Sequence, residues 1–300
     1  MQALLLALAL GVAVLVARQW RPTPSVSGRR VVIVGASSGI GRSLALEYAR
    51  RGAHLVLNAR RREQLEEVAE ECRRFPVSVA TVVGDITQRA TQLALRREAA
   101  VRGVDCLVLN AGAISVRPIA DLWAGTEGDG ALGAGADQAT ELLQSILEIN
   151  VVAPAAVAGL FVPLLAQSRG SVVVVSSVAG LVAAPTRALY STSKHAVTGY
   201  FNAFRMEVAR QGIAVTVAYP GTVATELRRS AVDLHVRGGL APGSEAGSLS
   251  PGDCARQIVR AAALRRRSLV TPWPYALAPV FYAIVPEAVD YLAKRKYGFG

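Results

Sequence analysis

Cysteine and histidine are both scarce. The 300-residue chain has three of each, and its thiols, Cys72, Cys106 and Cys254, are far apart, odd in number and without a CxxC spacing. No disulfide framework and no metal site are indicated. His54, His195 and His235 share no ligand spacing and read as structural or exposed. Acidic residues are outnumbered by 33 Lys and Arg to 22 Asp and Glu, a net charge of +11. Much of the excess is arginine scattered through helical segments, with neither interleaved aromatics nor zinc spacing, so no nucleic acid partner is expected. An anionic membrane surface suits the charge better. The chain has no long polar tract and no internal repeat beyond β-α alternation, and 52% apolar content suits one sizeable domain with an appendage.

Charge is also missing from the amino-terminal end. Ala3 to Ala17 is apolar, and Gln2 is the one polar side chain before Arg18. As a helix this run would be about 25 Å long, close to a hydrocarbon core of about 30 Å, with Trp20 at the interface. A basic n-region is absent, which favours an uncleaved single-pass anchor over a signal peptide. Arg18, Arg21, Arg29 and Arg30 all follow the run and place the remainder on the cytosolic side. The expected divisions are an anchor at 1–20, a linker at 21–28, a nucleotide-binding domain at 29–271 and an aromatic, basic segment at 272–300. In that last segment Trp273, Tyr275, Phe281 and Tyr282 either face lipid or pack onto the domain, ahead of Lys294, Arg295 and Lys296.

What is present is a chain of β-branched runs alternating with helical patterns. Arg30 to Val34 leads into GASSGIG, which comprises Gly35, Ala36, Ser37, Ser38, Gly39, Ile40 and Gly41, and then into a helix. Strand, glycine turn and helix form a cradle for a nucleotide pyrophosphate, because glycines admit the phosphate to the backbone and the helix start offers amide donors. A second strand, His54 to Asn58, is followed by Ala59, Arg60, Arg61 and Arg62 where NAD sites place an acid. Arg60, helped by Arg61, is therefore expected to hold the 2′-phosphate of NADP(H). The alternative is three arginines on a solvated helix start.

A third strand, Val77 to Val83, precedes Asp85 and Ile86. Asp85 either accepts a hydrogen bond from adenine or caps a helix starting near Thr87. Asp105 to Leu109 is a fourth strand, and Asn110, Ala111 and Gly112 beyond it are either a wall of the cofactor cleft or a plain turn. Ala124 to Ala139, rich in Gly and Ala, reads as a mobile surface insertion. In the apolar helix beginning near Glu141, Asn150 either holds a structural water or relays protons to Lys194, or else is satisfied by local backbone ahead of Pro154. Further strands are expected at Val172 to Val175, Ile213 to Tyr219 and Ser268 to Thr271. Pro220, Gly221, Val223 and Thr225 leave the sheet edge toward the nicotinamide end, and Leu227 to Ser250 is a flexible cover for the substrate.

Chemistry concentrates between Ser177 and Lys194. Tyr190 and Lys194 are four apart, hence on one helix face, and a neighbouring ammonium lowers the pKa of a phenol. Ser177 directly follows a buried strand, at the sheet edge where open α/β folds bind ligands.

GASSGIG, LNAG at Leu109, Asn150, Ser177, YSTSK at Tyr190 and PGTVAT at Pro220, in that order, resemble the short-chain dehydrogenase/reductases over about Arg29 to Thr271. The resemblance implies a single α/β domain, a Rossmann-type, doubly wound sheet of seven parallel strands with helices on both faces. It also implies a tetrad in which Tyr190 exchanges the proton, Lys194 lowers its pKa and holds the ribose, Ser177 orients the carbonyl and Asn150 completes a water relay. Val34 departs from the pattern, standing where many members have Thr. The apolar amino-terminal run, SKHA after Tyr190 and the basic end are similar to the membrane-bound member-7 and 7B branch. Relatives there and nearby reduce steroids, retinoids, acyl-dihydroxyacetone phosphate or 3-ketosphinganine, in the endoplasmic reticulum or another intracellular membrane. Kinship further implies a homodimer or homotetramer. The expected activity is NADPH-dependent reduction of a lipophilic ketone or aldehyde, against two alternatives: an NAD-dependent alcohol dehydrogenase and a non-catalytic nucleotide-binding scaffold.

Overall fold

The structure is a computed structural model that describes residues 22–123, 131–234 and 248–299, apart from the side chains at 123 and 131–136. The amino-terminal apolar run lies outside the described residues, as do most of the Gly-rich stretch before 131 and the segment 235–247.

Seven β-branched runs form one parallel sheet: β1 (Arg30–Val34), β2 (His54–Ala59), β3 (Val79–Val83), β4 (Cys106–Leu109), β5 (Ser171–Val175), β6 (Ala214–Pro220) and β7 (Ser268–Thr271). Their order is β3-β2-β1-β4-β5-β6-β7, with every neighbouring pair parallel. The winding direction reverses between β1 and β4, and a crevice opens at such a switch point beyond the carboxyl ends of the strands.

Helices cover both faces, so strand residues alternate between two cores. Val31 and Ile33 of β1 join α1 (Gly39–Arg50), α2 (Arg62–Arg73) and α8 (Pro251–Ala263) through Leu44, Tyr48, Leu65 and Ile258. Val32 and Val34 join α3 (Arg89–Ala100), α6 (Ala153–Ser168) and α7 (Ala188–Glu207) through Leu95, Val157, Phe161 and Phe201. Val34 is thus an ordinary core residue. Asp137–Ser168 is apolar and long enough to cross a membrane, yet Ile146, Phe161 and Leu165 within it are fully buried in the protein. It serves here as core.

The expected elements recur with shifted ends, and two expectations need correction. The stretch read as a mobile insertion is helical from residue 131, because α5 spans Ala131–Leu147. Ala139, Leu142 and Ile146 on α5 bury against Leu122 of α4 (Ile119–Trp123) and Leu189 of α7, a small third core that low side-chain volume had concealed. Part of the expected flexible cover is also pinned. Asp233 is fully buried and accepts hydrogen bonds from the Ser115 hydroxyl at 2.7 Å and from the Val116 and Arg117 amides at 2.9 and 2.8 Å.

The carboxyl-terminal segment folds as a 3-10 turn (Trp273–Leu277), α9 (Ala278–Ile284) and α10 (Pro286–Tyr297). Pro286 cannot donate the backbone bond that would fuse the last two. One face of this pair packs onto the domain, as a wall of the pocket described below. Its other face leaves Trp273, Val280, Ile284 and Tyr291 exposed.

Candidate active site

The glycine turn after β1 is built for close approach. Gly35 has φ of +82°, and a β-carbon there would lie 2.7 Å from Ala111 Cα. At Gly41 a β-carbon would sit 1.9 Å from the Gly35 carbonyl oxygen and 2.5 Å from Asn110 Nδ2. Those two atoms are themselves hydrogen-bonded at 2.9 Å, so the turn, α1 and the end of β4 are locked together. Ser38, the N-cap of α1, makes no side-chain cap bond.

A cleft of about 350 Å³ lies over this turn. Ser37, Ser38, Gly39 and Ile40 line one side, Asn110, Ala111 and Gly112 another, and Arg60, Arg61, Asp85 and Ile86 its far end. Arg61 donates to Ser37 Oγ at 3.3 Å, and Arg60 stands 3.7 Å from Asp85 with two thirds of its side chain exposed. Asp85 also accepts from the amide and hydroxyl of Thr87, both at 2.9 Å. It caps that turn; α3 begins only at Arg89 with Gln88 as N-cap. Glycine cradle and terminal arginines fit a dinucleotide carrying an extra phosphate.

Beyond Gly112 and Thr225 the cleft widens into an apolar pocket of about 640 Å³. Ser177, Tyr190 and Lys194 line it, together with Pro220, Gly221 and Val223 after β6. Its outer wall comes from the end of the chain, including Tyr275, Phe281, Leu292 and Tyr297. Nothing in the pattern of that segment revealed this, because the contact joins residues about a hundred positions apart.

Ser177 follows β5 as the N-cap of a 3-10 turn, its Oγ accepting from the Ala179 amide at 3.1 Å and donating to the Pro220 carbonyl at 3.5 Å. Tyr190 and Lys194 lie one turn apart on α7, and Lys194 Nζ is 5.6 Å from the phenol ring centre. Lys194 is buried and donates to the Val175 carbonyl at 3.3 Å. Desolvation lowers its pKa to about 8. The expected lowering of the Tyr190 pKa by Lys194 is not what this environment produces. Burial raises the phenol, and the groups that oppose this are the Ser177 hydroxyl, Arg187 and Arg228. The two arginines are additions that sequence reasoning missed; Arg187 is the N-cap of α7, three residues before Tyr190, and that closeness in sequence is the one signal that could have flagged it.

Asn150 occupies a π-helical turn, Glu148–Val152, between α5 and α6. Such bulges redirect one side chain out of the helical register. The amide accepts from the Ala113 N–H at 2.8 Å and donates to the Ala113 carbonyl and to Ser193 Oγ, both at 2.9 Å. Its partners are therefore remote in sequence, not the backbone ahead of Pro154. Asn150 Oδ1 and Lys194 Nζ both crowd Gly112, whose β-carbon would lie 2.9 Å from the first and 3.6 Å from the second.

The short chain dehydrogenase family model matches residues 29–234. "Hydroxysteroid 11-beta-dehydrogenase 1-like protein A" of Xenopus laevis is 34% identical over 257 residues, 83% of this chain and 79% of that protein. "Dehydrogenase/reductase SDR family protein 7-like" of Dictyostelium discoideum is 29% identical over 285 residues, covering 92% and 84%. Among solved structures, a short-chain dehydrogenase/reductase from Burkholderia phymatum in complex with NAD superposes with a TM-score of 0.72 at 22% identity, over 89% of this chain and 96% of that one. One from Sphingobium yanoikuyae in complex with NADPH gives 0.67 at 22%, over 87% and 94%. At that identity the structural likeness speaks for the fold, and it is the sequence match across the cradle, the β4 exit and the Ser177–Lys194 stretch that makes this chain a member of the short-chain dehydrogenase family of oxidoreductases.

Proposed function

We propose that the chain is a membrane-anchored, NADPH-dependent carbonyl reductase acting on a lipophilic ketone or aldehyde. The observation that carries this reading is the meeting of Ser177, Tyr190 and Lys194 at the junction of an apolar pocket and a glycine-walled cleft. The cradle from Gly35 to Gly41 would hold the pyrophosphate, Arg60 and Arg61 the 2′-phosphate, Asp85 and Ile86 the adenine end, and Lys194 the ribose. Asn110, Ala111, Gly112 and the run Pro220, Gly221, Val223 and Thr225 would flank the nicotinamide end. NADPH, when bound, supplies the hydride that the carbonyl carbon accepts.

Tyr190 donates the proton to the carbonyl oxygen, and Ser177 donates a hydrogen bond to the same atom. A phenol whose pKa burial has raised is fully protonated at neutral pH, the state that a reduction requires. Lys194, with a pKa of about 8, is largely charged there and supplies positive potential as the oxygen gains charge. Asn150 braces the Ala113 backbone and Ser193 behind them.

Attachment to the endoplasmic reticulum or another intracellular membrane, with the domain on the cytosolic side, is supported by the apolar run at Ala3 to Ala17 and by the exposed apolar face of α9 and α10. Phe281 and Leu292 both reach the pocket and stay partly exposed, which suits a substrate that arrives from lipid. The relatives named for hydroxysteroid dehydrogenation make steroid-sized ketones the first panel to screen.

Tyr190→Phe tests the assignment. Turnover should fall by roughly 10² or more, the usual scale of general acid catalysis, with NADPH affinity retained. Unchanged turnover overturns it.

A further inference from the structure

The substrate pocket is apolar but not neutral. Arg187, Lys194, Arg228 and Lys296 line it, and no Asp or Glu does so among the described residues. Lys194 has a role in the reading above; the other three do not.

Arg187 is the informative one, because it is 7% exposed. Its Nη1 donates to the Ser115 carbonyl at 3.2 Å, and its guanidinium carbon stands 5.8 Å from the centre of the Tyr297 ring. It makes no ion pair among the described residues. Asp233, the buried carboxylate bound to the Ser115 hydroxyl, is spent on that group and on the Val116 and Arg117 amides. Arg228 is near enough for the two cations to repel, and both act on the Tyr190 phenol. A guanidinium cannot shed its proton, so burying one without a counter-ion is expensive unless a ligand brings the negative charge. Arg187 is the N-cap of α7, three residues before Tyr190, and the two side chains line the same pocket.

Resting on the reductase reading, we propose that Arg187, flanked by Arg228 and by Lys296 at the mouth, is an anion subsite, and that the substrate is an anionic amphiphile. Its carbonyl lies close to a carboxylate or phosphate, and its tail fills the apolar remainder of the pocket. A neutral sterol would leave the guanidinium uncompensated.

The test compares 4-oxodecanoate with its methyl ester in the full chain with NADPH, for the wild type, Arg187→Gln and Arg187→Lys. A charge-assisted hydrogen bond predicts a kcat/KM ratio of acid to ester of roughly 10 to 100 in the wild type. The ratio should collapse toward unity in Arg187→Gln and recover in part in Arg187→Lys. A ratio near one in the wild type overturns the subsite and leaves the reductase standing. An equal loss for both substrates in Arg187→Gln also overturns it, because it makes Arg187 merely the seat of Tyr297. Calorimetry with octanoate, octyl phosphate and octanol works without turnover. Binding of either anion that is lost in Arg187→Gln, with octanol unaffected, supports the subsite even where no NADPH is consumed, a result that would fail the reductase reading alone. The two anions distinguish a carboxylate from a phosphate site, and identical anion binding in wild type and variant overturns both.

Discussion

Lys194→Met should stabilise the protein while removing its activity. The ammonium is buried, has no carboxylate partner among the described residues and makes one long bond, 3.3 Å to the Val175 carbonyl. Its pKa falls from 10.5 to about 8, which corresponds to on the order of 3 kcal/mol against the charged form. The folded pKa lies below the unfolded one, so between pH 8 and 10.5 the unfolded chain binds more protons. Stability therefore rises with pH across that window, and the penalty is fully present below it. Methionine fills similar space without charge. In urea unfolding without cofactor at pH 7, the variant should gain up to about 3 kcal/mol, less the weak carbonyl bond. Its advantage should shrink steadily toward pH 10.5. A difference that stays constant with pH, or a wild type that is the more stable at pH 7, would refute the reasoning. Activity traded for stability at one side chain is what a functional charge in a buried place implies.

Three further outcomes follow from the geometry. Gly41→Ala would drive a β-carbon to within 1.9 Å of the Gly35 oxygen; the cradle must open, and NADPH affinity should fall by at least roughly tenfold with far-ultraviolet circular dichroism unchanged. Asp233→Ala strands the Ser115 hydroxyl and two amides, at a cost of about 3 kcal/mol in denaturant unfolding, and should raise KM for substrate more than for cofactor. Arg60→Ala should weaken NADPH by about tenfold and leave NADH unchanged, as titrated by fluorescence, since only the 2′-phosphate is lost as a partner. Equal losses for both nucleotides would remove Arg60 from the 2′-phosphate site.

Residue order alone determined the alternating strands and helices, the glycine turn, and the helical spacing of Tyr190 and Lys194. These are local: β-branching, the closeness that glycine permits and the helical repeat act over a few residues, and a run such as Val172 to Val175 can be buried only on both faces. Tertiary structure decided the rest. It brought the last two helices across the pocket, set Arg187 beside Tyr190 with no counter-ion among the described residues, closed Asp233 onto the Ser115 loop and turned Asn150 out of register to meet Ala113 and Ser193. It also reversed the direction of the Tyr190 pKa, because depth of burial outweighed the Ser177 hydroxyl and the Arg187 and Arg228 charges. Burial and long-range contact depend on which distant segments pack together, and no local pattern records that.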